Sequence, residues 1–225
     1  MKITLILTIF VILNYYVLNS ENILYAFLAL VIFNFLFTTV LEYLNDKYWK
    51  DDIPDEFKDY YDSKSYLKAK NYKIERGKIS SLSSFISLIF TLLMLFYYGF
   101  GFISDLAISF SDSVIVQSSI FFMILYFFNF LIGIPFSYYS TFIIEEKYGF
   151  NKTDLKTFVL DKIKGLIISS VLIIGLTSLA VFIIEFFSSG FWLWLWIGLS
   201  LLMILINMFY ADLIVPIFNK LTPLE

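Results

Sequence analysis

Apolar residues run almost unbroken through six stretches of the chain, at about 3–18, 23–44, 79–103, 114–142, 165–187 and 191–215. A bilayer core about 30 Å thick takes ~20 apolar residues of helix to cross. In hydrocarbon, only a helix or a closed barrel satisfies its own backbone hydrogen bonds. The pattern therefore predicts an all-α, polytopic membrane helix bundle of about six transmembrane helices. Ser20, Glu21 and Asn22 make the turn between the first two. Lys2 ahead of the first run fits the start of a signal peptide, but no small-residue cleavage site follows. The next apolar run begins almost at once, so a retained hairpin is the better reading. The polar residues gather in two patches, which divides the chain into a transmembrane hairpin at 1–44, a helical loop at 45–78 and a four-helix membrane region at 79–225. A second loop at 143–164 interrupts that last region.

The basic residues orient the bundle. Of sixteen Lys and Arg, nine lie between Lys47 and Lys78 and five between Lys147 and Lys164; the others are Lys2 and Lys220. Six spans put all of them on one side. The opposite connections carry Glu21, Asp105, Asp112 and Glu185 and no cation. By the positive-inside rule the basic side is cytoplasmic, with both termini inside. Trp192, Trp194 and Trp196 then fall at the outer end of the last span, where amphipathic rings favour the headgroup region. Their spacing of two spreads them around the helix, as an interfacial belt requires.

Within the spans, polar and small residues recur at helical spacing: Asn34, Thr38 and Glu42; Ser80, Ser84, Ser87 and Thr91; Asn129, Gly133 and Ser137. Each row is one stripe that should face other helices. Such stripes serve as helix–helix glue or line a hydrated cavity, for which Glu42 and Asn129 are the better witnesses. Glu42 lies within a turn of the boundary and could simply reach the interface. Pro135 removes a backbone hydrogen bond and should kink the fourth span.

Composition narrows the chemistry. Sixty per cent of the 225 residues are hydrophobic and 16% charged, against roughly 45–50% and 25% in soluble domains. There is no Cys and no His, which removes thiolate chemistry, His-based acid/base catalysis and almost every zinc-hydrolase ligand set. A net charge of −3 gives no nucleic-acid footprint. In the first loop, Ile53-Pro54-Asp55-Glu56 looks like a helix start, followed by alternating charges around several Tyr residues. In the second, Gly149 permits a turn, Phe150 can anchor it, and Asn151 or Thr153 can cap a helix beginning near Asp154. Glu145 and Glu146 could hold a cation or transfer protons. Adjacent on a helix they diverge by about 100°, which favours an ordinary solvated face.

That second loop carries a resemblance. Leu131-Ile132-Gly133-Ile134-Pro135-Phe136-Ser137-Tyr138-Tyr139-Ser140-Thr141-Phe142-Ile143-Ile144 and the run from Glu145 to Lys152 closely resemble the CAAX prenyl protease 1 family of membrane zinc metallopeptidases. Three further blocks fit in the same order: Ile53 to Phe57; Lys68 to Tyr72 with Arg76, Ile79 and Ser80; and Tyr210-Ala211-Asp212-Leu213-Ile214-Val215-Pro216-Ile217-Phe218-Asn219-Lys220 onward. Residues 1–20 are additional to the family's usual first span. The resemblance implies a ring of helices around an intramembrane chamber that holds prenylated or other membrane-associated peptide, with zinc at its mouth. It implies that the zinc ligands come from an H-E-x-x-H helix and a later Glu, in a catalytic portion on the same or a separate chain. Two His at i and i+4 hold the metal and the Glu activates its water. With no His, none of that transfers here, so this chain alone is not a competent peptidase. Tyr148 stands where many members have His. Ending inside a family motif suggests truncation or a split gene. The expected partners are the lipid bilayer, the catalytic portion and the peptide. Expected chamber or docking residues are Glu42, Asn129, Pro135, Glu145, Glu146, Gly149, Phe150, Asn151, Asp212, Pro216 and Asn219. A non-catalytic binding or scaffold protein derived from the family is the alternative.

Overall fold

The computed structural model describes residues 20–55, 58–60, 62–187 and 189–218. The apolar run at 3–18 and Asn219 lie outside them. The described residues are all helix, turn or coil. Helix α1 is Ser20–Tyr48, α2 Ser63–Phe96, α3 Gly99–Phe110 and α4 Val114–Tyr139, which continues as a π-helical segment, Ser140–Glu145. Helix α5 is Leu155–Phe187 and α6 Phe191–Phe209; a second π-helical segment, Tyr210–Ile214, leads into the short α7, Val215–Phe218. Five of these helices are long and apolar enough to cross a membrane, and they coincide with the five apolar runs from residue 23 onward. The chain is a multi-pass integral membrane protein. Phe33, Val171, Trp192 and Trp196 are each more than 60% exposed, and the described residues bury no polar or charged side chain. Such surfaces suit lipid and would be prohibitive in water.

Three boundaries differ from the sequence expectation. At the start expected at 53–56, Asp55 takes a 3₁₀ conformation and its carbonyl accepts the Lys58 N–H at 3.4 Å, while Glu56 and Phe57 lie outside the described residues. The lasting start is Asp62, extended at φ −81° and ψ 148°, whose carboxylate takes the Ser65 N–H at 2.9 Å. The Ser65 hydroxyl and then its N–H, both donating to the carboxylate, hold the Asp62 carboxyl below its ordinary pKa. Helix α2 then runs 34 residues without a break, about 51 Å at 1.5 Å per residue. Residues 63–78 therefore extend the span out of the membrane as one rod.

The third apolar run also does not continue to 103 as a single helix. It stops at Phe96, where the Tyr97 N–H bonds the Leu93 carbonyl at 2.9 Å and Tyr98 takes a left-handed φ of 57°. Gly99 is required there, because a Cβ would come within 2.9 Å of the Met94 Cα. The following α3, 12 residues long, reaches about 18 Å, too short to cross. At the start of α5 the cap is Asp154, not Asn151 or Thr153. Its carboxylate accepts from Thr157 N–H at 2.7 Å, the donor three residues on that a cap must reach.

The chain forms two compact units. One runs through Phe100 and takes up Ile132–Asn151; the other is Gly101–Leu131 and Lys152 onward. In the first, α1 packs on α2, and α2 on the π-helical segment Ser140–Glu145. Asn34, Thr38 and Glu42 of α1 and Ser84, Ser87 and Thr91 of α2 line one narrow groove of about 320 Å³. Two of the polar stripes therefore face each other. In the second unit α5 packs on α6. Gly190 at φ 75° makes the turn between them, and Phe187 stacks on Trp194 with centroids 4.7 Å apart.

Candidate functional site

Glu145, Glu146, Gly149, Phe150 and Asn151 assemble at one place in the first unit, where the π-helical segment ends. Pro135, inside α4, cannot donate to the Leu131 carbonyl; the helix runs on past it to Tyr139, then widens into the π-turn. That turn ends in a tight reversal. Phe150 and Asn151 N–H groups both donate to the Glu145 carbonyl, at 2.8 and 3.2 Å, and Gly149 N–H to the Glu146 carbonyl at 3.0 Å. These bonds satisfy carbonyls that a helix end otherwise leaves unpaired. Gly149 carries φ 68°, a left-handed conformation that costs other residues about 1–2 kcal/mol.

The reversal is seated on the projecting half of α2. Tyr72 is its centre. Its ring meets Phe150 edge-on at 5.0 Å and Tyr148 at 5.6 Å. Its hydroxyl accepts from Arg76 Nη1 at 3.0 Å and donates to Glu145 Oε1 at 3.4 Å. Lys68 lies 4.9 Å over the Phe150 ring, and Lys147 pairs with Glu75. The hydrogen bond to Glu75 holds the Lys147 ammonium above its ordinary pKa. Desolvation, then the bond to Glu75, pushes the Tyr148 phenol up. The adjacent carboxylates take different partners: Glu145 faces Tyr72, while Glu146 accepts from Asn151 Nδ2 at 3.0 Å. Ile144 beneath them is buried, whereas Phe150 stays 45% exposed, so a folded aromatic knob remains open on the surface.

Tyr72, Lys68 and Arg76 belong to this cluster but were not among the candidate residues. Their signal was present, since 68, 72 and 76 lie four apart on one face of a helix. The remaining candidates fall elsewhere. Glu42 accepts from Ser81 Oγ at 2.8 Å. Asn129 bonds its own helix at the Leu125 carbonyl, 3.0 Å, and borders an apolar cavity of about 620 Å³ in the second unit, with Tyr126 and Thr177. A Cβ at Gly133 would meet nothing within 4 Å, so that position seats no close helix packing among the described residues. Asp212 and Pro216 are exposed in the second unit. There the exit of the last span is tied to α5 by Lys164, whose Nζ donates to the Ile217 carbonyl at 2.9 Å.

Residues 42–220 match the model of the CAAX prenyl protease N-terminal domain, five membrane helices. The chain belongs to this family. The CAAX prenyl protease 1 homolog of Dictyostelium discoideum is 32% identical over 224 residues, 94% of this chain and 50% of that protein. The homolog of Mus musculus is 30% identical over 179 residues, 76% of this chain and 38% of that protein. The crystal structure of S. mikatae Ste24p superposes with a TM-score of 0.75 at 31% identity, covering 88% of this chain and 48% of that one. The chain thus spans about 38 to 50% of the length of these relatives. The family is one of zinc metallopeptidases. Zinc's usual donors do not fit this chain: it has neither His nor Cys, and among the described residues no group of three or more carboxylates could hold a metal.

Proposed function

We propose that this chain is the membrane region of a CAAX prenyl protease 1-like zinc metalloendopeptidase. Its spans form part of the wall of a chamber that holds prenylated or other membrane-associated peptide. The basic loops face the cytoplasm with both termini, and the knob at Glu145–Asn151 docks the H-E-x-x-H portion that supplies the metal. The observation that carries this reading is the knob itself. A left-handed glycine, paired carbonyls and an aromatic seat on α2 hold Phe150 and the two carboxylates in fixed positions, yet leave Phe150 half open. A rigid, exposed aromatic flanked by charge is the composition of an interface anchor. Chemistry at the metal belongs to the other portion; this chain contributes orientation, exclusion of water and the docking contacts.

The test uses protein containing both portions, with cleavage of a prenylated CAAX peptide and co-purification of the two portions as readouts. Glu145→Gln, Glu146→Gln and Asn151→Ala together should lower cleavage at least tenfold and weaken co-purification. Unchanged cleavage and assembly in that triple variant would remove the docking role. A chain that binds the peptide while no catalytic portion joins it would favour the scaffold reading.

A further inference from the structure

The cleft between α1 and α2 is not absorbed by the reading above. It holds about 860 Å³ and is lined from Thr39 to Lys47 on α1 and from Lys73 to Ser81 on α2. The apolar run of α1 ends at Leu44 and that of α2 begins at Ile79, so on both helices the cleft straddles the membrane boundary. Eight residues of helix rise about 12 Å, enough to cross the headgroup layer and reach the first acyl carbons.

Its charge is unbalanced. Lys47 of α1 and Lys73, Arg76 and Lys78 of α2 outnumber Glu42 and Asp46 of α1 in its lining. Both carboxylates have partners on α2: Glu42 takes the Ser81 hydroxyl, and Asp46 pairs with Lys73 at 3.3 Å. Among the described residues Lys47 lies over two ring faces, 5.7 Å from Tyr43 and 5.8 Å from Tyr48. Those two rings, 61% and 72% exposed, and Trp49 beneath Lys73 at 5.2 Å mark the interfacial depth that Trp and Tyr favour. Gly77 leaves the floor open: a Cβ there would meet only Asp46 Oδ2, at 4.0 Å.

We infer that this cleft is a binding site for the phosphate headgroup of an anionic phospholipid in the leaflet on the loop side. Lys47 and Lys78 contact the phosphodiester, Arg76, whose Nη1 is held by the Tyr72 hydroxyl at 3.0 Å, adds only its charge, and Thr39 and Tyr43 flank the glycerol and upper acyl chains. Cations clustered just outside a span attract anionic lipid, and here they converge on a cavity rather than coat a surface. The inference rests on α1 and α2 alone and does not depend on the docking role.

Native mass spectrometry of the detergent-solubilised chain, titrated with phosphatidylglycerol or phosphatidylcholine, tests it. One phosphatidylglycerol should be retained at least tenfold more tightly than phosphatidylcholine. Removing two cleft charges, Lys47→Gln with Lys78→Gln, should weaken it about 30-fold. Lys152→Gln with Lys156→Gln removes the same charge outside the cleft and should leave binding within twofold. Gly77→Leu, which adds helix propensity and fills the floor, should weaken binding while the chain stays monodisperse on size exclusion. Equal retention of the two lipids, equal losses in the cleft and control pairs, or unaltered binding in Gly77→Leu would each overturn the site. Full displacement of lipid by millimolar inorganic phosphate would overturn its lipid form and assign it to free phosphate.

Discussion

Replacing Tyr72 tests whether the knob is held by α2 or stands by its own turn. Tyr72→Phe keeps both edge-to-face contacts and removes the hydroxyl that joins Arg76 and Glu145 at 3.0 and 3.4 Å. The second bond is long and both partners are part-exposed, so the loss should lie at the lower end of the ~0.5–1.5 kcal/mol of a net hydrogen bond. Tyr72→Ala also removes two ring pairs, at 5.0 and 5.6 Å, each about 0.5–1.5 kcal/mol, for a total of about 2–3 kcal/mol. Combining Tyr72→Ala with Phe150→Ala in a double-mutant cycle isolates the 5.0 Å pair. Its coupling should be about 1 kcal/mol, read by reversible unfolding in mixed micelles. Hydrogen exchange supplies the local readout: amides of Phe150 and Asn151, bonded to the Glu145 carbonyl, should lose protection in Tyr72→Ala and keep it in Tyr72→Phe. Additivity within ~0.3 kcal/mol, or unchanged protection in Tyr72→Ala, would show that the turn folds without its seat.

Glycine substitutions should separate strain from collision. Gly149→Ala, at φ 68° with only Lys68 Nζ nearby at 3.9 Å, should cost about 1–2 kcal/mol, and Gly149→Asn less. Gly99→Ala, which must displace the backbone of Met94, should cost about 1–3 kcal/mol, whereas Gly133→Ala should be neutral or slightly stabilising by thermal unfolding. Ser81→Ala and Glu42→Ala should couple by about 0.6 kcal/mol in a double-mutant cycle, and a zero coupling would count against the α1–α2 hydrogen bond. Asp154 is held below its ordinary pKa of 3.8 by the Thr157 N–H and hydroxyl. Its depressed folded value means the cap is fully present above 3.8 and lost as pH falls through that lower value. Exchange of the Thr157 amide, corrected for intrinsic rate, should stay protected at pH 4 and open only below 3.8; Asp154→Ala should open it at every pH.

The spans were legible because lipid imposes a length and a composition on each helix separately, and a run such as 165–187 declares both. The facing of Asn34, Thr38 and Glu42 with Ser84, Ser87 and Thr91 was legible too, since a period of four on each helix fixes a face without knowledge of the partner. Helix ends were less so. Pro54 and Asp55 match a start, but local preference worth about 1 kcal/mol yields to whichever neighbouring residue supplies a reachable cap, and that is Asp62. The break at Tyr97–Tyr98 left no hydropathy signal, because both sides of it are apolar; only Gly99, needed against Met94, marks it.

The docking candidates illustrate a different limit. Motif matching picked Glu145 to Asn151 as a continuous string, and the string folds into one knob. It also matched the block from Lys68 to Tyr72 with Arg76, some seventy residues away, but not the contact between the two, because nothing in a one-dimensional motif says which helix face a loop will sit on. The face was nonetheless written in the chain. Lys68, Tyr72 and Arg76 form an aromatic residue bracketed by cations at i−4 and i+4, a stripe that a purely solvated helix has no reason to place opposite Phe150 and Glu145. If the stripe exists to seat the knob, Lys68→Gln and Arg76→Gln should loosen the loop's amides as Tyr72→Ala does. The equally cationic Lys78, about 120° around the helix from Tyr72, should be silent in the same exchange experiment.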